Sequence, residues 1–296
     1  MAEHHHHHEI SGKNLFITII LNIFITISQI IGGVYSGSLA LLSDASHNFS
    51  DVLALIIAYV ANKLAKRPRT KSETFGYKRA EILAALFNAS VLIGIAILLI
   101  IEAVKKFIYP EAVNSLWVIG LGLLSILLNA VSVLLIKDDS HDNMNMKAAY
   151  IHLLSDVLTS VAVVAGGVLM YFYKIVWVDP FVSLIIAFYL IWASFGLIKD
   201  SSGVLMQFAP NSVDIDKLSS QITDNPEIDN VHHIHLWRLN DHDIHLEAHL
   251  DFHKNVTLEE SNKLIDKLEL QLHKNFDIGH TTFQCEYNRN DNKTII

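Results

Sequence analysis

Six runs of about 20 or more mostly apolar residues, the length a helix needs to cross a bilayer's hydrocarbon core, fill this chain up to about residue 200. They are Leu15 to Val34, Leu39 to Leu64, Ile82 to Phe107, Leu116 to Ile136, Ala148 to Tyr173 and Val176 to Ile198. Lipid offers no water to satisfy backbone groups, so each run must bond internally as a helix. Composition agrees, with 51% of the 296 residues apolar and 18% charged. No basic segment precedes the first run and no small-residue cleavage site follows it, so it reads as a span rather than a signal peptide.

After Pro210 the chain turns polar and no later run is long enough to span. Acidic and basic residues balance at 14 each before Pro210, whereas 16 acidic and 8 basic residues follow it, so the net charge of −8 sits on the soluble part. That balance argues against nucleic acid as a partner and suits attraction of cations. The soluble pattern predicts a helix from Asn211 to about Thr223, strands Val231 to Leu239 and Asp243 to Phe252, a helix Leu258 to Phe276 and a strand His280 to Tyr287. This αββαβ order is that of a small α+β domain with helices on one face of a sheet. The expected organisation is thus a histidine-rich N-terminus or tag (1–13), a six-helix transmembrane domain (14–200), an α+β domain (210–288) and a tail (289–296).

Lys and Arg are retained on the cytoplasmic side of membranes. The connection from Lys63 to Arg79 carries seven of them and the loops after spans one, three and five hold few, which places both termini and the soluble domain in the cytoplasm. Short loops favour a bacterial inner membrane. A single cysteine, Cys285, excludes an intrachain disulfide.

Within the second and fifth runs an imidazole and a carboxylate recur at one spacing: His47 and Asp51 in SDASHNFSDVLAL, His152 and Asp156 in AAYIHLLSDVLTS. Residues four apart share a helix face, and ionisable groups in a membrane must face a protein interior or a cavity. Two such helices facing each other would supply two imidazoles and two carboxylates, the number and type that suit tetrahedral zinc. Asp44 stands nearer the helix start and reads as structural. Such a site binds neutral imidazole and ionised carboxylate, so protons compete with the metal for every ligand, and imidazole titrates near pH 6.5.

The stretches GSLALLSDASHNFSDVLAL, FGYKRAEILAALFN, HLLSDVLTS, VHHIHLWRL and GHTTFQCE together resemble the cation diffusion facilitator family of metal-ion/proton antiporters, over about residues 14 to 287. The resemblance implies a transport site at His47, Asp51, His152 and Asp156, with Zn²⁺ as substrate, since members with His at the first position usually discriminate against cadmium. It also implies a homodimer and a ferredoxin-like, metallochaperone-like regulatory domain. In that domain it singles out His232, His249 and Glu286 as zinc ligands, with His280 a looser candidate. Nine of the seventeen histidines lie beyond residue 231. Strand alternation puts His233 and His235 on the face opposite His232, and His242, His245, His253 and His273 read as surface residues.

Glu73 and Tyr77 stand where some bacterial members carry histidines in the second-to-third connection, so no metal site is expected there. The run His4 to His8 is either a cytoplasmic zinc collector or an affinity tag. Competing readings are a membrane-anchored metal sensor, an intramembrane metalloenzyme, and an antiporter for cobalt, cadmium, iron or manganese. The enzyme reading lacks an H-E-x-x-H element and a separate general base, and the expectation is a transporter, not an enzyme. Ligand type alone does not choose among neighbouring divalent ions.

Overall fold

The computed structural model describes residues 12–137, 144–240, 243–290 and 292–295; the side chains of 12–16, 55, 58, 136, 144–149, 151 and 152 also lie outside the description. The chain forms two compact units, 1–59 with 87–198 and 60–86 with 199–296.

Six helices among the described residues are long and apolar enough to cross a membrane. They are α1 (Gly12–Ser36), α2 (Leu39–Ala65), α3 (Ala80–Ile108), α4 (Ser115–Ile136), α5 (Met144–Tyr173) and α6 (Val178–Leu205). The first unit buries many polar groups beside an apolar core and is apolar outside. Phe24, Leu98, Leu134, Phe172 and Trp192 are exposed, while Gln29, Ser43, Asp44, Asn48, Asn129, Ser160 and Asp179 are buried. That distribution suits a lipid surround, where apolar outer faces cost nothing and buried polar groups bond across helices. Small residues set the closest approach: a Cβ on Gly122 would lie 2.5 Å from Val164 Cγ2, so glycine lets α4 and α5 meet.

Gly37, at φ +65°, makes the left-handed turn between α1 and α2. Just beyond it, Asp179 of α6 accepts hydrogen bonds from Ser38 Oγ (2.5 Å) and from the backbone N–H groups of Leu39 (2.7 Å) and Ala40 (3.2 Å). A carboxylate from another helix thus caps the start of α2, where orphan N–H groups and the helix dipole favour negative charge. Lys106 Nζ stands 3.6 Å from the same carboxylate.

In the second unit, α7 (Ile215–Thr223), β1 (Ile228–Arg238), β2 (Ile244–Phe252), α8 (Leu258–Phe276) and β3 (Ile278–Glu286) follow the expected αββαβ order. The sheet runs β1-β2-β3, with β1 antiparallel and β3 parallel to the central β2. Period-two alternation on β2 sends Leu246, Ala248 and Leu250 into a core with Leu218, Ile222, Leu264, Leu268 and Leu272 of the helices. It sends His245, Glu247, His249 and Asp251 to the other face. Asp214 caps α7, a Thr257–Glu260 capping box starts α8, and left-handed Asp277 ends it. At the edge, β1 shifts register between His232 and His235, where His233 adopts φ +50°.

Candidate metal centres

Each of two clusters among the described residues could hold a metal ion: His47, Asp51 and Asp156, and His232, His249 and Glu286. In the first, α2 presents His47 and Asp51 one turn apart and α5 brings Asp156 against them. His47 Nε2 lies 3.2 Å from Asp156 Oδ1 and 3.7 Å from Asp51 Oδ2. Metal–nitrogen bonds of about 2.0–2.1 Å make a tetrahedral edge about 3.3 Å long, so these separations match donors around one ion. His47 and Asp156 are buried and Asp51 is partly exposed. His152 stands on α5 one turn before Asp156; its side chain lies outside the described residues. The ring of Tyr189, on α6, meets His47 edge-on at 6.4 Å.

Asp44 is fully buried beside this cluster with its carboxylate already engaged. Gln29 Nε2 donates to it at 2.5 Å, Thr159 Oγ1 at 2.8 Å and Ser160 Oγ at 2.9 Å. These bonds tie α2 to α1 and α5, the structural part expected of it. Gln29 extends the tie by accepting from Asn48 Nδ2 at 2.9 Å, and Ser160 extends it to Ser125 of α4 at 2.9 Å.

In the second cluster, His232 of β1 sits directly opposite His249 of β2, and Glu286 closes the group from β3. Glu286 lies 3.0 Å from His249 Nδ1 and 3.7 Å from His232 Nε2, again near a tetrahedral edge. His232 and Glu286 are buried. Sequence reasoning missed Asp251, whose Oδ2 is 3.3 Å from His232 Nδ1. It lies beside the imidazole nitrogen on the side of the ring away from Glu286. The signal available was its place two residues after His249, on the same strand face. Imidazole and carboxylate donors at these separations are what a divalent ion fits, and the residues present fit zinc.

His280 does not join this group. It pairs in register with His245, the two rings 4.8 Å apart. His245 is also not the surface residue that the sequence suggests: Trp237 stacks on it at 5.5 Å and Phe75 meets it edge-on at 5.9 Å. Burial, with the neighbouring His280 next in importance, lowers its imidazole below the ordinary value. His233 and His235 bring their Nε2 atoms to 3.2 Å, because the bulge turns His233 beside its neighbour. His253 is half exposed, 3.2 Å from Asp229. Glu73 is occupied by the hydroxyls of Thr70 and Ser72. His4 to His8, His141 and His242 lie outside the described residues.

Comparison with known proteins follows the same division. Residues 15–206 match the cation efflux transmembrane domain and residues 210–288 the cation efflux protein, cytoplasmic domain. The cadmium, cobalt and zinc/H(+)-K(+) antiporter of Bacillus velezensis is 34% identical over 287 residues, covering 95% of this chain and 91% of its own. The metal cation efflux system protein CzcD of Cupriavidus metallidurans is 34% identical over 284 residues, covering 95% and 89%. Zinc transporter ZitB of Escherichia coli is 33% identical over 261 residues, covering 88% and 82%. With six spanning helices, two clusters of metal-binding side chains and relatives matched over most of their length, this chain belongs to the cation diffusion facilitator family of metal-ion transporters.

Proposed function

We propose that the protein exports Zn²⁺ from the cytoplasm in exchange for protons, through a site made by His47, Asp51, His152 and Asp156. The observation that carries this reading is the buried His47 imidazole lying between carboxylates from two different helices. Two carboxylates offset the charge of a divalent ion, and two imidazoles complete four donors. Protons displace the ion by neutralising those donors. Exposure of the site first to the cytoplasm and then to the far side turns that competition into antiport. The working unit is a homodimer in a bacterial inner membrane with both termini cytoplasmic. The C-terminal domain binds zinc at His232, His249 and Glu286 and regulates transport.

The name of the Bacillus velezensis relative extends to cadmium and cobalt, which favours a second reading in which the same site carries several divalent ions. Zinc binding to the full chain in weakly buffered solution tests the assignment and separates the two readings. Intact protein should release protons as zinc fills the membrane site, and Asp51→Ala and Asp156→Ala should each lose that site and its proton release. Equal proton release with cadmium or cobalt would favour the broader substrate range. Unchanged stoichiometry and proton release in both variants would refute the site.

A further inference from the structure

The C-terminal tail reaches back to the second metal cluster and places its cations on the carboxylates that a metal would need. Lys293 Nζ lies 2.8 Å from Asp251 Oδ2 and 3.4 Å from Glu286 Oε2. Arg289 Nη1 lies 2.8 Å from Glu286 Oε1. Glu286, which faces both His232 and His249, is therefore neutralised by side chains of the same chain.

The backbone holds the tail in that position. β1 is an edge strand, and its register shift leaves His233 and Ile234 without a pairing partner on β2. Edge N–H groups need acceptors. The tail supplies them: His233 N donates to Thr294 O at 3.2 Å and Ile234 N to Ile295 O at 2.8 Å. These bonds involve the residues immediately after Lys293, so docking of the tail and delivery of its ammonium group are one event. The strained turn at His233 presents the N–H groups that the tail uses.

The geometry points to an intramolecular competition in which Lys293 and Arg289 act as built-in cations that a metal must displace from Glu286 and Asp251. The inference rests on the proposed zinc site of the C-terminal domain and names its regulation. A divalent ion at His232, His249 and Glu286 needs the carboxylate that both cations hold, and like charges so close oppose joint occupancy. Zinc therefore binds well only to molecules whose tail has let go, and the apparent affinity falls by the fraction released. The tail sets the zinc concentration at which the domain responds. Metal binding in turn frees residues 289–295 and uncovers the edge of β1.

The test uses the full chain in detergent, with zinc buffered by a chelator. Binding is measured for intact protein, Lys293→Gln and His249→Ala, and the zinc lost in His249→Ala defines the site in question. Hydrogen exchange of peptides covering 228–238 and 287–296 is followed in parallel. The expected results are an affinity roughly tenfold tighter in Lys293→Gln, given the usual strength of charge-assisted bonds, and zinc-induced loss of protection in both peptides of intact protein. Equal affinities in intact protein and Lys293→Gln, with tail protection unchanged while the His249-dependent site fills, would overturn the inference and leave the zinc site standing. Absence of any His249-dependent zinc would remove the site itself, and the inference with it.

Discussion

Asp44, Asp51 and Asp179 are aspartates of the membrane unit whose neighbours assign them different work. Asp44 and Asp179 are surrounded by hydrogen-bond donors and hold helices together. Asp51 faces an imidazole at 3.7 Å and a partly open space. Removing Asp179 leaves Lys106 and the start of α2 without their buried partner, a loss of about 3–5 kcal/mol. Asp179→Ala should unfold at correspondingly lower denaturant in detergent titrations, and an unchanged midpoint would contradict the capping account. At the proposed transport site, His47→Asp should admit cadmium, read as competition between cadmium and zinc uptake. Continued rejection of cadmium by that variant would place selectivity elsewhere. The His47 and Asp51 pairing was legible in the sequence because a spacing of four inside an apolar run has few structural explanations, and its recurrence at His152 and Asp156 has fewer. Asp179 and Asp251 were not legible. Each is a lone acid near an element end, and the partners that give it meaning, Ser38 and Lys106 for one and His232 for the other, are distant in sequence.

Among the elements, ends marked by local chemistry were the most legible. Thr257 and Glu260 form a capping box at the start of α8, and the observed helix covers the expected residues. Thr257→Ala should weaken that helix by about 1 kcal/mol, seen as faster hydrogen exchange in its first turns. The same box makes a pH prediction. The Thr257 backbone N–H, and then its hydroxyl, hold the Glu260 carboxyl below its ordinary value. A group whose value is lowered by folding stabilises above its unfolded value and loses that contribution as pH falls through the folded one. First-turn protection in α8 should therefore decline as acid protonates Glu260, and a pH-independent first turn would contradict this. Other ends were hidden. The sixth apolar run stops at Ile198, where Lys199 and Asp200 begin, yet α6 continues to Leu205, because charge ends a span without ending a helix. On β1, strict alternation sets His233 and His235 opposite His232, but the bulge at His233, which depends on pairing with β2, overturns this: His235 pairs with Glu247, on the β2 face that carries His249, and the His233 ring lies 4.7 Å from that of His249.

At the scale of the whole molecule, six spans and a small αββαβ domain were readable from run lengths and the change of composition at Pro210, since those features reflect solvent. Contacts between residues far apart in sequence were not. Lys78, in the second-to-third connection, bonds Asp243 of the C-terminal domain at 2.5 Å. Its hydrogen bond, aided by its charge, holds the Asp243 carboxyl below the ordinary value. The contribution of this contact is present above the ordinary carboxylate range and is lost as pH falls through the lowered value. Lys78→Met should accordingly remove the acid sensitivity of hydrogen exchange in residues 66–79, and persistence of that sensitivity would assign it to another group.

The proposed function turns on the two His-Asp pairs carrying the transported ion in exchange for protons. Its most direct measurement is zinc uptake into sealed proteoliposomes holding a trapped zinc indicator, with and without an acidic interior, for intact protein and Asp51→Ala. The expected result is uptake that the gradient accelerates and that the variant lacks. Gradient-driven uptake undiminished in Asp51→Ala, with the variant folded and reconstituted to the same level, would contradict it.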